Sequence, residues 1–239
     1  MRVLITGGGT GVGADLARGF AAASYDVVVA GRTRESLLAI PNATPVVADV
    51  TDEDSVAAMF AESGRCDVVI ANAGAALSAP VKATSKADWD QMIGVNLTGV
   101  FLTLKAGLAQ MDPAWGRLIT VASVAGLKGY PYVAAYAAAK HGAVGFTRAL
   151  AHEVARTGVT ANALCPGFLD TEMTDRTLDN IVSTTGRSRE QALAAITATN
   201  PQRRLIAPAE VTAAALWLCG EGSAAINGQA IAIDGGELG

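Results

Sequence analysis

The sequence predicts an α/β fold, in which a doubly wound sheet of seven parallel strands carries helices on both faces. Two observations support this prediction. Short apolar runs rich in β-branched residues alternate with longer stretches of helical periodicity, and 51% of the 239 residues are hydrophobic while 17% are charged. Such runs are typical of parallel strands buried on both faces. Sheets of this kind commonly form one domain at this length, so residues 1–239 are expected to form a single domain.

The strands are predicted where valine, isoleucine, leucine and alanine cluster. In chain order they are Val3–Ile5, Val27–Val29, Val46–Val47, Val68–Ile70, Leu118–Val121, Val159–Leu164 and Ala230–Ile233. Helices are predicted between and after them, over residues 11–23, 33–39, 52–63, 85–110, 134–157 and 208–219. Right-handed crossovers between parallel strands then generate the doubly wound sheet.

One segment interrupts this alternation. Residues 168–204 are rich in polar and charged side chains and accommodate at most two short helices. The segment follows the sixth predicted strand, at the carboxyl edge of the sheet, where ligands bind in open α/β folds. We therefore expect residues 168–204 to form a substrate lid.

Composition and charge argue against several classes of function. The net charge is −4, and no basic run is longer than the pair Arg203 and Arg204, so a nucleic-acid partner is not expected. No segment resembles a signal peptide or approaches the ~18 apolar residues of a membrane span, so we expect a cytoplasmic protein without a membrane partner. The three widely spaced cysteines predict neither disulfides nor a metal site, and are expected to be buried.

A glycine-rich turn directly follows the first strand. It has the sequence Thr6-Gly7-Gly8-Gly9-Thr10-Gly11-Val12-Gly13 and leads into a helical pattern. Glycines let the backbone approach a pyrophosphate closely, and a helix N-terminus offers unpaired N–H groups to it. The pattern predicts a Rossmann-type dinucleotide site, with contacts from Gly7, Thr10, Gly11, Val12 and Gly13. A tight turn without a ligand is the alternative.

The end of the second strand predicts which dinucleotide binds. Sites for NAD carry an acidic residue there, whereas this chain has Arg32 after Gly31. A guanidinium pairs bidentately with a 2′-phosphate, so we expect NADP(H) in preference to NAD(H). A solvated surface charge is the alternative for Arg32. Asp49 and Val50, after the third strand, are expected to hold the adenine edge, unless Asp49 merely precedes a helix cap.

Tyr136 and Lys140 open a predicted helix four residues apart and therefore share one helical face. An ammonium beside a phenol favours the phenolate and lowers its pKa from ~10. A tyrosine tuned in this way exchanges a proton with an alcohol or a ketone. On its own, such a pair is more often found on a surface.

Further motifs make the pattern specific. Asn72-Ala73-Gly74 follows the fourth strand, Ser123 lies thirteen residues before Tyr136, Pro166-Gly167 follows the sixth strand, and Asp234-Gly235-Gly236 follows the seventh. With the glycine turn, this order resembles the short-chain dehydrogenase/reductase family over essentially the whole chain. The resemblance implies an oxidoreductase that transfers a hydride between NADP(H) and a ketone or secondary alcohol.

The resemblance also implies roles for individual residues. Tyr136 is the general acid and base, and Ser123 hydrogen-bonds the substrate oxygen. Lys140 lowers the pKa of the tyrosine and contacts the nicotinamide ribose, and Asn96 supports a water-linked proton relay. The other implied cofactor contacts follow the fourth and sixth strands and are Asn72, Gly74, Pro166, Gly167 and Thr171.

The substrate implied by the resemblance is a 3-oxoacyl or 3-hydroxyacyl thioester of ACP or CoA. One alternative is a cyclic or simple secondary alcohol or ketone, and another is a regulator that senses a dinucleotide without turnover. The intact set of Ser123, Tyr136 and Lys140 argues against a sensor. The helix from Tyr136 to Val154 is apolar on most faces, which together with the resemblance predicts a homodimer or homotetramer.

Overall fold

Seven strands form one sheet in the computed structural model, which covers residues 1–239. In chain order they are β1 (Arg2–Thr6), β2 (Asp26–Gly31), β3 (Ala43–Val47), β4 (Val68–Ala71), β5 (Gly116–Val121), β6 (Val159–Pro166) and β7 (Ala230–Ile233). All paired strands are parallel, in the order β3-β2-β1-β4-β5-β6-β7. The chain winds outward in both directions from β1 and β4, so the predicted doubly wound sheet is confirmed.

Nine α-helices connect and flank the strands. They are α1 (Gly11–Ala22), α2 (Arg34–Leu38), α3 (Glu53–Ser63), α4 (Lys86–Ile93), α5 (Gly99–Gln110), α6 (Ala134–Val154), α7 (Glu172–Thr185), α8 (Arg189–Thr197) and α9 (Pro208–Cys219). Side chains of α1, α2 and α9 pack in the core on one face of the sheet. Side chains of α3, α5 and α6 pack in the core on the other face.

Successive side chains of the central strands enter the two cores alternately. Leu4 of β1 belongs to the core under α3, α5 and α6, whereas Val3 and Ile5 belong to the core under α1, α2 and α9. In β4, Val69 and Ile70 divide in the same way. Both faces of these strands are therefore apolar, which is why they are continuous apolar runs in the sequence.

Some boundaries differ from the predicted ones. β3 begins at Ala43, earlier than predicted, and includes Pro45. A proline is tolerated there because β3 is an edge strand, with β2 on one side only. The segment 168–204 contains two helices as predicted, but α7 has 14 residues and is not short.

The helix predicted over residues 85–110 contains an irregular turn. A π-helical segment, Gly94–Thr98, joins α4 to α5. The continuous helix Lys86–Gln110 has 25 residues and is apolar enough to span a membrane, which corrects the expectation that no stretch approaches such a span. Of its most apolar window, 44% is buried inside the fold. Core helices have the same composition, and this one packs against α3 and α6.

Cys66, Cys165 and Cys219 are free thiols. All three are buried, as predicted. They contribute to the core as small apolar side chains.

Candidate active site

The turn after β1 has a shape that requires glycine. Gly7 and Gly11 have φ values of +64° and +51°, in the left-handed region. A Cβ atom on Gly13 would lie 2.0 Å from the carbonyl oxygen of Gly7 and 2.6 Å from Nδ2 of Asn72. The turn therefore closes this tightly only because Gly13 has no side chain.

The backbone N–H groups of residues 9–13 have no acceptor within the protein. Thr10 is the N-cap residue of α1, and its side chain makes no capping hydrogen bond. Unpaired donors at the positive end of a helix dipole suit an anion. The turn formed by Gly7, Thr10, Gly11, Val12 and Gly13 is thus a fitting cradle for the diphosphate of a dinucleotide.

Asn72 ties the end of β4 to this turn. Its Nδ2 atom donates to the carbonyl oxygens of Thr6 at 2.9 Å and Gly7 at 3.3 Å. In return, Oγ1 of Thr6 accepts from the backbone N–H groups of Asn72 and Ala73, both at 3.1 Å. Asn72 therefore holds the shape of the glycine turn.

Asn96 is fully buried in the π-helical segment and fixes the loop after β4. Its Oδ1 atom accepts from the N–H of Ala75 at 3.2 Å, and its Nδ2 donates to the carbonyl oxygen of Ala75 at 2.9 Å. A Cβ atom on Gly74 would lie 2.9 Å from Oδ1 of Asn96 and 3.7 Å from Nζ of Lys140. The structure thus brings Gly74, Asn96 and Lys140 together.

Ser123, Tyr136 and Lys140 meet between the end of β5 and the first turns of α6. The Ser123 hydroxyl accepts from the N–H of Ala125 at 3.1 Å and lies beside the Tyr136 phenol. Lys140 is buried, and its Nζ atom donates to the carbonyl oxygen of Val121 at 2.9 Å. The same atom lies 5.7 Å from the centroid of the Tyr136 ring. The three side chains form one group at the carboxyl edge of the sheet.

Burial dominates the proton affinities of this group. It raises the pKa of Tyr136, although the Ser123 hydroxyl favours the phenolate and acts in the opposite direction. Burial also lowers the pKa of Lys140 to about 8. The net shift of the Tyr136 pKa is thus upward, because desolvation of the phenolate outweighs the effect of the Ser123 hydroxyl. The lowering of this pKa by Lys140 stays a prediction.

The chain leaves β6 beside the same group. β6 ends at Pro166, and the N–H of Gly167 donates to the carbonyl oxygen of Ile233 at 3.0 Å. Thr171 is the N-cap residue of α7, and its Cγ2 atom lies 3.6 Å from the position of a Cβ on Gly11. The beginning of the 168–204 segment therefore lies against the glycine turn.

Arg32 is exposed directly after β2 and forms no salt bridge. Hydrogen bonds from Thr51 lower the pKa of Asp49, and the charge of Arg32 lowers it further. The N-cap of α3 is Asp52, so Asp49 does precede a cap. The backbone N–H of Val50 has no acceptor within the protein, so it is free to bind a ligand.

The two ends of the 168–204 segment are joined at its base. The carbonyl oxygen of Phe168 accepts from the N–H of Ile206 at 2.8 Å, and the N–H of Asp170 donates to Ile206 at 2.9 Å. Between these ends, α7 and α8 share a small core of their own, formed by Leu178, Ala192 and Ile196. The segment is therefore a pair of helices attached at its base. It lies beside the space between the glycine turn and the group of Ser123, Tyr136 and Lys140, which we call the cleft.

Sequence patterns did not identify two polar residues near this edge. The Tyr130 hydroxyl donates to Oε1 of Glu237 at 2.5 Å. The other carboxylate oxygen of Glu237 lies 3.9 Å from the position of a Cβ on Gly167. Because Tyr130 and Glu237 are far apart in the sequence, no local motif marks their contact.

Comparisons with known proteins agree with this geometry. Residues 1–182 match the family model described as short chain dehydrogenase. A D-beta-hydroxybutyrate dehydrogenase of Rhizobium meliloti (strain 1021) is 33% identical over 98% of this chain and 96% of the relative. The 3-oxoacyl-[acyl-carrier-protein] reductase MabA of Mycobacterium avium is 36% identical over 98% of this chain and 88% of the relative. A crystal structure of an actinorhodin polyketide ketoreductase variant with NADPH, 35% identical, superposes with a TM-score of 0.90 over 99% of this chain and 96% of that one.

Proposed function

The chain belongs to the short-chain dehydrogenase/reductase family and is an oxidoreductase, and from this premise we propose that it reduces a 3-oxoacyl thioester with NADPH. The reverse oxidation of a 3-hydroxyacyl thioester uses the same groups. The observation that carries the proposal is the convergence of Ser123, Tyr136 and Lys140 beside a glycine turn with free N–H groups. A proton donor and a dinucleotide cradle are what a carbonyl reduction requires.

When bound, the nicotinamide cofactor supplies the hydride to the carbonyl carbon. Residues 7–13 and Thr171 would hold its diphosphate, because they line the N-terminus of α1. Asp49 and Val50 would hold the adenine edge. The nicotinamide end would lie along the residues that surround the catalytic group, which are Asn72, Gly74, Lys140, Pro166 and Gly167.

Arg32 supports NADP(H) as the preferred cofactor. Its guanidinium is exposed and unpaired, so it binds a 2′-phosphate without first breaking a salt bridge. Among the acidic groups whose pKa is shifted, the charge of Arg32 affects only Asp49. The carboxylate of Asp49 already accepts two hydrogen bonds from Thr51.

Tyr136 donates its proton to the substrate oxygen as that oxygen gains negative charge. The raised pKa of its phenol keeps the proton in place at neutral pH, which is the state needed for reduction. The Ser123 hydroxyl hydrogen-bonds the same oxygen and stabilises the developing charge. We assign Asn96 a positioning role and a part in the proton relay, since its amide fixes the loop beside Lys140.

Exposed apolar side chains on the segments that flank the site favour an apolar acyl chain. Phe168 and Met173 stand at the start of the 168–204 segment, and Tyr132 stands just before α6, with exposures of 39%, 44% and 61%. Large apolar side chains left exposed on flanking loops are typical of a binding surface. Residues 168–204 would close over the acyl chain as a lid.

A homodimer or homotetramer in the cytoplasm completes the proposal. Phe101 of α5 is 41% exposed and packs edge-to-face on Phe146 of α6, at 5.7 Å between ring centroids. An aromatic pair at the surface of two apolar helices suits burial against a second copy of the chain. Size-exclusion chromatography with light scattering tests this part.

Oxidation of NADPH, followed by absorbance, tests the function directly. The panel contains 3-oxoacyl N-acetylcysteamine thioesters, cyclic ketones and simple methyl ketones. We expect kcat/KM for the thioesters to exceed that for the other ketones by at least ~10-fold, a difference of ~1.4 kcal/mol. Tight NADPH binding without turnover of any carbonyl would instead identify a dinucleotide sensor.

A further inference from the structure

The pair of Tyr130 and Glu237 lies at the cleft and has no part in the reaction described above. Tyr130 lies on the segment that joins Ser123 to Tyr136, and Glu237 follows β7. The phenol of Tyr130 donates to Oε1 of Glu237 at 2.5 Å. The pair therefore links the catalytic segment to the last residues of the chain.

The carboxylate of Glu237 also reaches the exit of β6. Its Oε2 atom lies 3.9 Å from the position of a Cβ on Gly167. Two residues earlier, the thiol of Cys165 neighbours both Ser123 and Lys140. The negative charge of Glu237 thus lies at the edge of the cleft, on the same side as the catalytic group.

The segment that carries Glu237 is held in place. The buried carboxylate of Asp234 accepts from the N–H groups of Gly236 at 2.9 Å and Leu238 at 3.0 Å. Gly235, between them, has φ of +66° and packs against Asn200. These contacts fix the direction in which Glu237 leaves the backbone.

No cation neutralises Glu237. It forms no salt bridge. Its hydrogen-bond partner is a neutral phenol, because burial and the adjacent carboxylate raise the pKa of Tyr130. The ammonium of Lys128 lies 5.6 Å from the centroid of the Tyr130 ring, but Lys128 is exposed, so water screens its charge.

We propose that Glu237, positioned by Tyr130, is a specificity residue that excludes substrates with a free carboxylate next to the 3-oxo group, so that the enzyme reduces 3-oxoacyl esters and thioesters and rejects free 3-oxo acids. This inference rests on the proposed function and names its substrate class. A second carboxylate bound beside an unneutralised one is repelled, and repulsion of this kind is a common source of specificity. The acyl carbonyl of an ester or thioester carries no charge and escapes the repulsion.

The test compares acetoacetate with its methyl ester, which differ in charge at the same carbon skeleton. The value of kcat/KM with NADPH is measured for both in the wild type and in Glu237→Gln. We expect the variant to raise kcat/KM for acetoacetate by about 10-fold and to change that for the ester by less than about 2-fold. Glu237→Asp keeps the charge and is expected to keep most of the discrimination.

Glu153→Gln is the matched control, since Glu153 is an exposed glutamate at the far end of α6, where the chain turns toward the start of β6. This control variant should leave the ratio of kcat/KM for the ester to kcat/KM for acetoacetate unchanged. Tyr130→Phe keeps the charge of Glu237 but removes the hydrogen bond that positions it, so it should lower this ratio by less than Glu237→Gln does. A merely structural role of the pair would lower kcat/KM for both substrates equally, and this result would overturn the proposal.

Calorimetric titration of acetoacetate and of the methyl ester into protein saturated with NADP⁺ measures the same discrimination without turnover. We expect the wild type to bind the ester more tightly and Glu237→Gln to narrow the difference. Equal binding of the two ligands by the wild type would overturn the inference. Discrimination in binding without reduction of either carbonyl would overturn the proposed function and support the role of Glu237.

Discussion

Nζ of Lys140 donates a hydrogen bond to the backbone carbonyl of Val121 at 2.9 Å, and this bond ties α6 to the last residue of β5. Lys140 is 4% exposed, and burial lowers the pKa of its ammonium to about 8. The fold therefore keeps a positive charge in its interior next to Tyr136. Such a charge is maintained at a cost in stability where function requires it.

Replacement of Lys140 by methionine should make the isolated protein more stable at pH 7. The lowered pKa of Lys140 means that its buried charge reduces the free energy of unfolding by up to ~3 kcal/mol. The variant recovers this amount but loses ~1 to 2 kcal/mol, because the Val121 carbonyl is left without a donor. We therefore expect a gain of about 1 kcal/mol in the free energy of unfolding, measured by urea denaturation, together with loss of turnover.

The pH dependence gives a second check on Lys140. Between its folded pKa of about 8 and the unperturbed value of 10.5, the unfolded chain holds a proton that the folded chain has lost. The contribution of Lys140 to the free energy of unfolding therefore rises with pH across this window. The advantage of Lys140→Met should shrink accordingly, and an advantage that grew toward pH 10.5 would contradict the assignment.

The Tyr136→Phe variant should lose at least ~100-fold in kcat, because it removes the proposed proton donor of the reaction. NADPH affinity should stay within about 2-fold of the wild type, since the glycine turn is untouched. Fluorescence titration measures the binding, and NADPH absorbance measures the turnover. Tyr25→Phe makes the same change directly before β2, at the opposite edge of the sheet from the site, and serves as the control. Activity above a few per cent in Tyr136→Phe would rule out its role as the acid.

The Arg32→Asp variant should reverse the cofactor preference. Loss of a charge-assisted contact and gain of an acceptor for the ribose hydroxyl should lower the NADPH-to-NADH ratio of kcat/KM by ~10 to 100-fold. Arg156→Asp makes the same change at an exposed arginine after α6 and should leave the ratio unaltered. An unaltered ratio in Arg32→Asp would mean that Arg32 is only a surface charge.

The Gly13→Ala variant should abolish cofactor binding and destabilise the fold by ~3 kcal/mol or more. Its Cβ would lie 2.0 Å from the carbonyl oxygen of Gly7, which is backbone and has no rotamer to move away. Gly222→Ala, where no atom lies within 4 Å of the added Cβ, should fold and bind normally. Thermal unfolding with and without NADPH distinguishes the two. A Gly13→Ala protein with the wild-type shift on NADPH addition would show that the turn does not hold the cofactor.

The sheet was predictable because its strands are buried on both faces, and that environment leaves a continuous apolar run in the sequence. The full length of β3 could not be predicted, because it contains Pro45 and the polar Thr44. An edge strand tolerates such residues, whereas a central strand excludes them. The π-helical segment could not be predicted either. One extra residue in a turn changes neither the composition nor, over so short a stretch, the apolar periodicity.

Local motifs were sufficient to predict that Ser123, Tyr136 and Lys140 belong to one site, because the strand that precedes Ser123 and the helix that carries Tyr136 and Lys140 are adjacent in the chain. The direction of the Tyr136 pKa shift could not be predicted from the motif, since it depends on how deeply the folded protein buries the phenol. The contact of Tyr130 with Glu237 depends on where the segment after β7 packs, and no pattern in either segment encodes it.

The π-helical segment Gly94–Thr98 couples an internal anchor to an external surface. Each residue turns an α-helix by about 100°, so deleting one residue from this segment would straighten the helix and rotate α4 and α5 relative to each other by about that angle. Either Asn96 would swing away from Ala75, or Phe101 would leave the outer face where it meets Phe146. A one-residue deletion would therefore disturb both the loop that Asn96 holds and the contact of Phe101 with Phe146, although these two lie on different sides of the same helix.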